Sequence, residues 1–272
     1  MSGADGSSAT IKSNQSIAHQ PAAFAGGWRE SVVVLVMVLA PIALAVFLLA
    51  AGVLVISAWQ MMHGLPVELP TRANLQLYGL LAYAAASWID VAAVWLWTSR
   101  RGLSGQVFLF RRLTWPSLGA GLVGFVMALY ATPIITQWLS HVTGGRGPEV
   151  RINFHDRQST AIYILLFVVT TPVSEEILYR GLLVTWLRRI GWRDFAIWLA
   201  GSVVFAANHA IPLGFVWAAA MAGLGAILFA LRLRYESLAP AWLAHFLFNA
   251  QPFLILPLIT WLAPALLPGH LL

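Results

Sequence analysis

Among its 272 residues the chain has no cysteine. That excludes disulfide staples, thiolate metal sites and cysteine nucleophiles. Charge is scarce too: 10% of residues are Asp, Glu, Lys or Arg, against about a quarter in soluble domains. With 60% hydrophobic residues and a mean hydropathy of +0.78, a soluble globular protein is excluded. Lysine is nearly missing: Lys12 stands alone and every other basic residue is arginine. The net charge of +6 is not read as a nucleic-acid surface. The arginines cluster in short loops between apolar runs, which is the pattern of a positive-inside bias.

Several catalytic signatures are also missing. There is no H-E-x-x-H zinc helix and no G-x-S-x-G nucleophile elbow. Asp90 is the one further acid well inside an apolar run, so a two-aspartate mechanism lacks a clean partner. Asp90 itself is expected to pair with an arginine or line a polar cavity. No internal repeat is visible, which weighs against a carrier.

What is present is a succession of apolar spans at roughly 31–58, 75–98, 117–141, 159–187, 194–210, 213–232 and 238–257. A shorter, proline-broken run at about 254–268 is an eighth span or an interfacial segment. About twenty residues cross a bilayer core, so the fold class is all-α, a polytopic transmembrane bundle of about seven or eight spans. Tryptophans such as Trp28, Trp59, Trp97, Trp115, Trp192 and Trp261 fall near span ends, as interfacial anchors do. The chain divides into a polar tail at 1–28, expected to be disordered, motif-free spans over 29–116, a core over 117–257 and a hydrophobic segment over 258–272. The first apolar run is too long for a cleavable signal and reads as an anchor. The loops at 99–116, 188–193 and 232–236 hold nine arginines, against four in the loops that alternate with them. The arginine-rich loops and the N-terminus therefore read as cytoplasmic. Pairs such as Ala120 with Gly124, Ala219 with Gly223 and Ala222 with Ala226 give small faces for close helix contact.

One span breaks the apolar rule. Ser174-Glu175-Glu176-Ile177-Leu178-Tyr179-Arg180 places three charges at bilayer depth, at about 2.5 to 3.5 kcal/mol each on lenient scales. Such residues face a bundle interior, pair with one another and mark a functional site. Glu176 and Arg180 are i,i+4 with the acid first, the favourable order for an ion pair. Glu175 is rotated by about 100° and reads as the unpaired acid, a candidate general base. Pro172 removes a backbone donor one turn upstream and predicts a local kink. Further on, His209 ends the run Phe205-Ala206-Ala207-Asn208-His209, and His245 and Asn249 are i,i+4 on one helix face. A neutral imidazole orients water or binds metal, and an amide donates to an oxyanion.

Glu175-Glu176-x-x-x-Arg180, Phe205-x-x-x-His209 and His245-x-x-x-Asn249, in that order on successive spans, resemble the three motifs of the CPBP intramembrane proteases. This is the CAAX prenyl protease 2 type, also called Abi, and the resemblance covers about 117–257. It implies that Glu175 with His209 activates a water, that His245 and Asn249 stabilise the tetrahedral oxyanion, and that Glu176 and Arg180 support the site. The family has been described both as metalloproteases and as metal-free glutamate proteases. Glu175, His209 and His245 supply the donors of an open zinc site, or act as base and oxyanion hole alone. No cofactor is assigned, and zinc stays open. The expected function is an intramembrane endopeptidase acting on a membrane-anchored protein or peptide. The expected setting is an integral membrane protein of the cell inner membrane, with lipid and no nucleic acid as partner. The alternatives are a non-catalytic immunity or scaffold protein of the same fold, or a proton-coupled transporter.

Overall fold

Long apolar runs with nothing to pair with in lipid must close their own backbone hydrogen bonds, and helices do so. In the computed structural model, which describes residues 27–145, 157–255 and residue 258, every regular element is helical. The tail and the C-terminal segment expected from the sequence fall almost wholly outside the described residues. Helix α1 (Gly27–Met62) and α2 (Arg72–Ser99) pack on each other. At a rise of about 1.5 Å per residue, α1 exceeds the roughly 30 Å of a bilayer core. Thr71 caps α2 by accepting from the Asn74 N–H. The outer face of α1 stays apolar and exposed, with Val46, Phe47, Leu54 and Val55 outermost, as lipid contact requires.

A short α3 (Ser104–Val107) lies in the arginine-rich connection to α4 (Trp115–Thr143). This connection is built into the bundle. Leu109 O accepts from Leu238 N at 2.9 Å, and Ser237 Oγ accepts from Arg111 N at 3.1 Å. Thr114 and Ser117 form a reciprocal cap with Pro116 in the first turn of α4, where its missing N–H costs nothing. Small residues on α4 set its packing. A Cβ at Gly121 would stand 3.0 Å from Pro240 O, and one at Gly124 would stand 2.9 Å from Leu231 Cδ1.

Residues 157–189 run as one spanning unit of five pieces: α5 (Arg157–Tyr163), π-helical π1 (Ile164–Thr170), α6 (Thr171–Glu175), π2 (Glu176–Leu183) and α7 (Val184–Arg189). Next comes α8 (Asp194–Tyr235), broken at Gly214 with φ 80° and ψ 169°. Only glycine enters that region without penalty. The two halves of α8 double back on each other: Trp198 Nε1 donates to Ala226 O at 2.8 Å, and a Cβ on Gly201 would strike the Phe229 ring at 2.4 Å. Finally α9 (Ala239–Ala250) continues into π3 (Gln251–Ile255).

Among the described residues six helices are long and apolar enough to cross a membrane, and the chain is an integral membrane protein. The sequence-read span at 238–257 corresponds to α9 and π3, and the eighth run lies outside the described residues except for residue 258. Four of the most buried polar side chains, Glu175, Glu176, Arg180 and His245, are at most 3% exposed.

Candidate active site

The site begins with an irregular backbone. In π1 the Thr171 N–H reaches Leu166 O, five residues back. The next bond in that register would take the N–H of residue 172 to Phe167 O, but Pro172 has none. Asn249 Nδ2 of α9 supplies the missing donor, at 2.9 Å from Phe167 O. The kink signal of Pro172 is thus realised as a wide turn whose freed carbonyl binds a neighbouring helix. A second change of register follows π2. There the Val184 N–H turns to Gly181 O, and Arg232 Nε satisfies Arg180 O at 3.0 Å. Wide turns of this kind recur at functional sites; here π1 precedes the charged residues and π2 carries Glu176 and Arg180.

The side chains then converge. Glu176 Oε1 stands 3.0 Å from His245 Nδ1 and 3.5 Å from Arg180 Nη1. An ionised carboxylate only accepts, so the His245 Nδ1 carries the proton of that contact. Glu175 Oε1 accepts from the Tyr83 hydroxyl of α2 at 2.7 Å, while Oε2 stands 3.7 Å from His245 Nε2. That last separation is too long for a direct hydrogen bond. The Oε2 atoms of Glu175 and Glu176 and the guanidinium nitrogens of Arg180 make no hydrogen bond within the described residues. With His245 protonated, the two glutamates, Arg180 and His245 sum to zero charge; with it neutral, they sum to one negative.

Arg180 lies between two aromatic rings, 4.3 Å from the Phe205 centroid and 4.5 Å from that of Phe229. A desolvated cation over π faces gains about 2 kcal/mol, which offsets part of its burial cost. Phe205 is the hub of the whole assembly. Its ring meets Arg180, Tyr179 edge-on at 5.1 Å, His209 at 4.6 Å and His245 at 6.1 Å. The first and last residues of the second motif therefore play different parts: Phe205 joins the three motif helices, and His209 packs against its ring.

Not every expected residue enters the carboxylate cluster. His209 Nδ1 lies 2.7 Å from Phe205 O of its own helix, and Asn249 is tied to Phe167 O. Among the described residues neither hydrogen-bonds to Glu175 or Glu176. The Glu175, His209, His245 donor set for zinc is not assembled either: among the described residues no three His, Asp or Glu side chains are placed to hold a metal ion. Glu175, read from sequence as the unpaired acid, has a partner in Tyr83.

Three polar residues escaped the sequence reading. Tyr83 is one. Tyr179 and Asn208 are the others: Asn208 Nδ2 donates to the Tyr179 hydroxyl, and also to Val38 O of α1 at 3.1 Å. Tyr83 had a signal, because Tyr83, Ser87 and Asp90 fall at i, i+4 and i+7 on one face of α2, and Ser87 and Asp90 are buried. Asn208 had only its place beside His209.

Comparison with known proteins agrees with the motif reading. Residues 157–251 match the family model described as type II CAAX prenyl endopeptidase, Rce1-like. No curated protein and no solved structure matches the chain. The matched stretch contains all three motifs and excludes α1, α2 and α4.

Proposed function

We propose that this protein, whose residues 157–251 match the type II CAAX prenyl endopeptidases, is an intramembrane endopeptidase. Its substrate is a membrane-associated protein or peptide. The observation that carries this reading is the 3.7 Å gap between Glu175 Oε2 and His245 Nε2. One oxygen atom fits within hydrogen-bond reach of both, about 2.6 to 3.2 Å from each. A water held there attacks the scissile carbonyl carbon and gives its proton to Glu175 Oε2. The tetrahedral oxyanion is met by the His245 imidazolium at Nε2–H and by the second N–H of Asn249, whose first serves Phe167 O. Glu175 then returns the proton to the leaving nitrogen as the C–N bond breaks. His209 donates from Nδ1 to Phe205 O, which leaves Nε2 as an acceptor that orients the attacking water. Glu176 and Arg180 hold His245 in place and balance the charge. A scaffold without chemistry gains nothing from burying two carboxylates in this way.

The test is Glu175→Gln in purified, membrane-reconstituted protein with a farnesylated CAAX-tail peptide. Loss of a general base lowers the rate by roughly 10²- to 10⁴-fold, while the helical content stays unchanged. Cleavage near the wild-type rate by that variant refutes the assignment. The orientation follows from the arginine bias: the 188–193 loop, and the N-terminus with it, faces the cytoplasm of the cell inner membrane. Because the chain has no native cysteine, Trp192→Cys reports this directly. An impermeant thiol reagent added to intact cells leaves it unlabelled, and labelling without lysis reverses the topology.

A further inference from the structure

We propose that Tyr83 is the positioning residue for Glu175: its hydroxyl fixes which carboxylate oxygen faces His245. The inference deepens the endopeptidase reading and rests on it for its kinetic consequence. The Tyr83 hydroxyl donates to Glu175 Oε1 at 2.7 Å, the length of a charge-assisted O–H···O⁻ bond. The terminal torsion of a glutamate is broad and roughly two-fold, so a rigid helix alone does not choose between its two oxygens. One anchored oxygen does. With Oε1 held from α2, Oε2 is the atom left facing His245 Nε2.

The ring of Tyr83 is itself seated. It packs against the buried cluster of Ala82 and Ala86 of α2 and Ala45 of α1, which Leu44, Leu48 and Leu49 of α1 also cover. The donor is therefore part of a two-helix platform. That platform lies outside the 157–251 stretch that matches the family. The polar face of α2 continues through buried Ser87 and Asp90, so Tyr83 is the end of a polar row that meets the site.

A plain tether between α2 and the charged helix would hold without touching the reactive acid, and this difference is measurable. In nanodiscs, the carboxyl infrared bands of Glu175 are assigned by their loss in Glu175→Gln. We expect Tyr83→Phe to shift their frequency, and 3-fluorotyrosine at position 83, which keeps ring and donor, to restore a hydrogen-bonded band. With the farnesylated CAAX-tail peptide, Tyr83→Phe is expected to lower kcat about ten- to a hundredfold, the span of a hydrogen bond to a charged group, at unchanged KM. Fluorotyrosine restores the rate. A Glu175 band unmoved by Tyr83→Phe overturns the proposal. So does a fall in kcat that accompanies an equal loss of folded protein and is not restored by the fluorinated donor. If the band moves but the wild type cleaves nothing, the endopeptidase reading fails and the Tyr83 bond to Glu175 stands.

Discussion

Two charged clusters in this molecule are built from the same residue types to opposite standards. At the arginine-rich end, Arg188 holds Glu236 through both nitrogens at 2.6 and 2.7 Å and Asp194 at 3.1 and 3.2 Å, and Arg232 adds a contact to Glu236 at 3.2 Å. Every bond is short, and Glu236 is nearly half exposed. At the centre, Arg180 and Glu176 stand 3.5 Å apart, His245 and Glu175 3.7 Å apart, and several buried polar atoms have no hydrogen-bond partner among the described residues. A cluster selected for stability closes its contacts, since an unmade buried hydrogen bond costs about 1 to 3 kcal/mol. The loop cluster is closed where water makes closure worth little. The central one is open where openness is expensive. That inversion supports the proposal that the chemistry lies at the centre.

The sharpest way to break the comparison is to remove one charge from the open cluster. Arg180→Ala leaves two glutamates facing a single histidine, and breaking one half of a buried pair costs about 3 to 5 kcal/mol. Thermal unfolding in detergent should show that loss. Glu176→Gln combined with Arg180→Met should recover most of the stability and little of the activity, because no lone charge remains beside Glu175. If Arg180→Ala unfolds at the wild-type temperature, the guanidinium is not balancing the carboxylates.

A smaller effect is expected from the backbone that carries the charges. A Cβ at Gly181 would lie 2.3 Å from Val107 O of α3, and the helix must move away to admit it. Gly181→Ala should cost about 1 to 3 kcal/mol, the range of an overpacked core. Unchanged stability would show that α3 yields easily and does not support the charged helix.

The smallest effect belongs to the closed cluster. Arg188→Ala should cost no more than about 1 kcal/mol, as exposed pairs do, and less at high salt. The Arg188 guanidinium holds the Glu236 carboxyl below its usual range. A depressed carboxylate contributes stability above its unfolded pKa and loses it as pH falls through the folded value. A shallow fall in unfolding temperature on acidification below about pH 4 should therefore be absent in Glu236→Gln. If Arg188→Ala matches Arg180→Ala in cost, the contrast between the clusters is wrong.

How far the sequence discloses this molecule follows from which physics each part obeys. The all-α membrane class was legible, because lipid leaves helices as the answer for long apolar runs. The charged helix was legible because charge at bilayer depth is too costly to be incidental. The doubling back at Gly214 shows only as a short gap between two apolar runs, since the residues that cause it are a glycine and its neighbours. Tyr83 stayed hidden for a different reason. A tyrosine in an alanine-rich span reads as packing, and only the three-dimensional approach of α2 to α6 makes its hydroxyl a partner for Glu175. The wide turns around the charged residues were announced by Pro172 alone. Where the freed carbonyl of Phe167 would go depended on Asn249, more than seventy residues away in the chain.

The sharing of this site among distant helices has a consequence for its birth on the ribosome. Tyr83 and Val38 are made first, so Glu175 and Asn208 emerge into a bilayer where their α1 and α2 partners already wait. His245 comes seventy residues after Glu175, which at about 5 to 20 residues per second means several seconds of further synthesis. During that interval the helix carrying Glu175, Glu176 and Arg180 sits in the membrane without its histidine partner, with only its own arginine as counter-charge. Nascent chains halted before α9 should therefore be the form that membrane quality control removes.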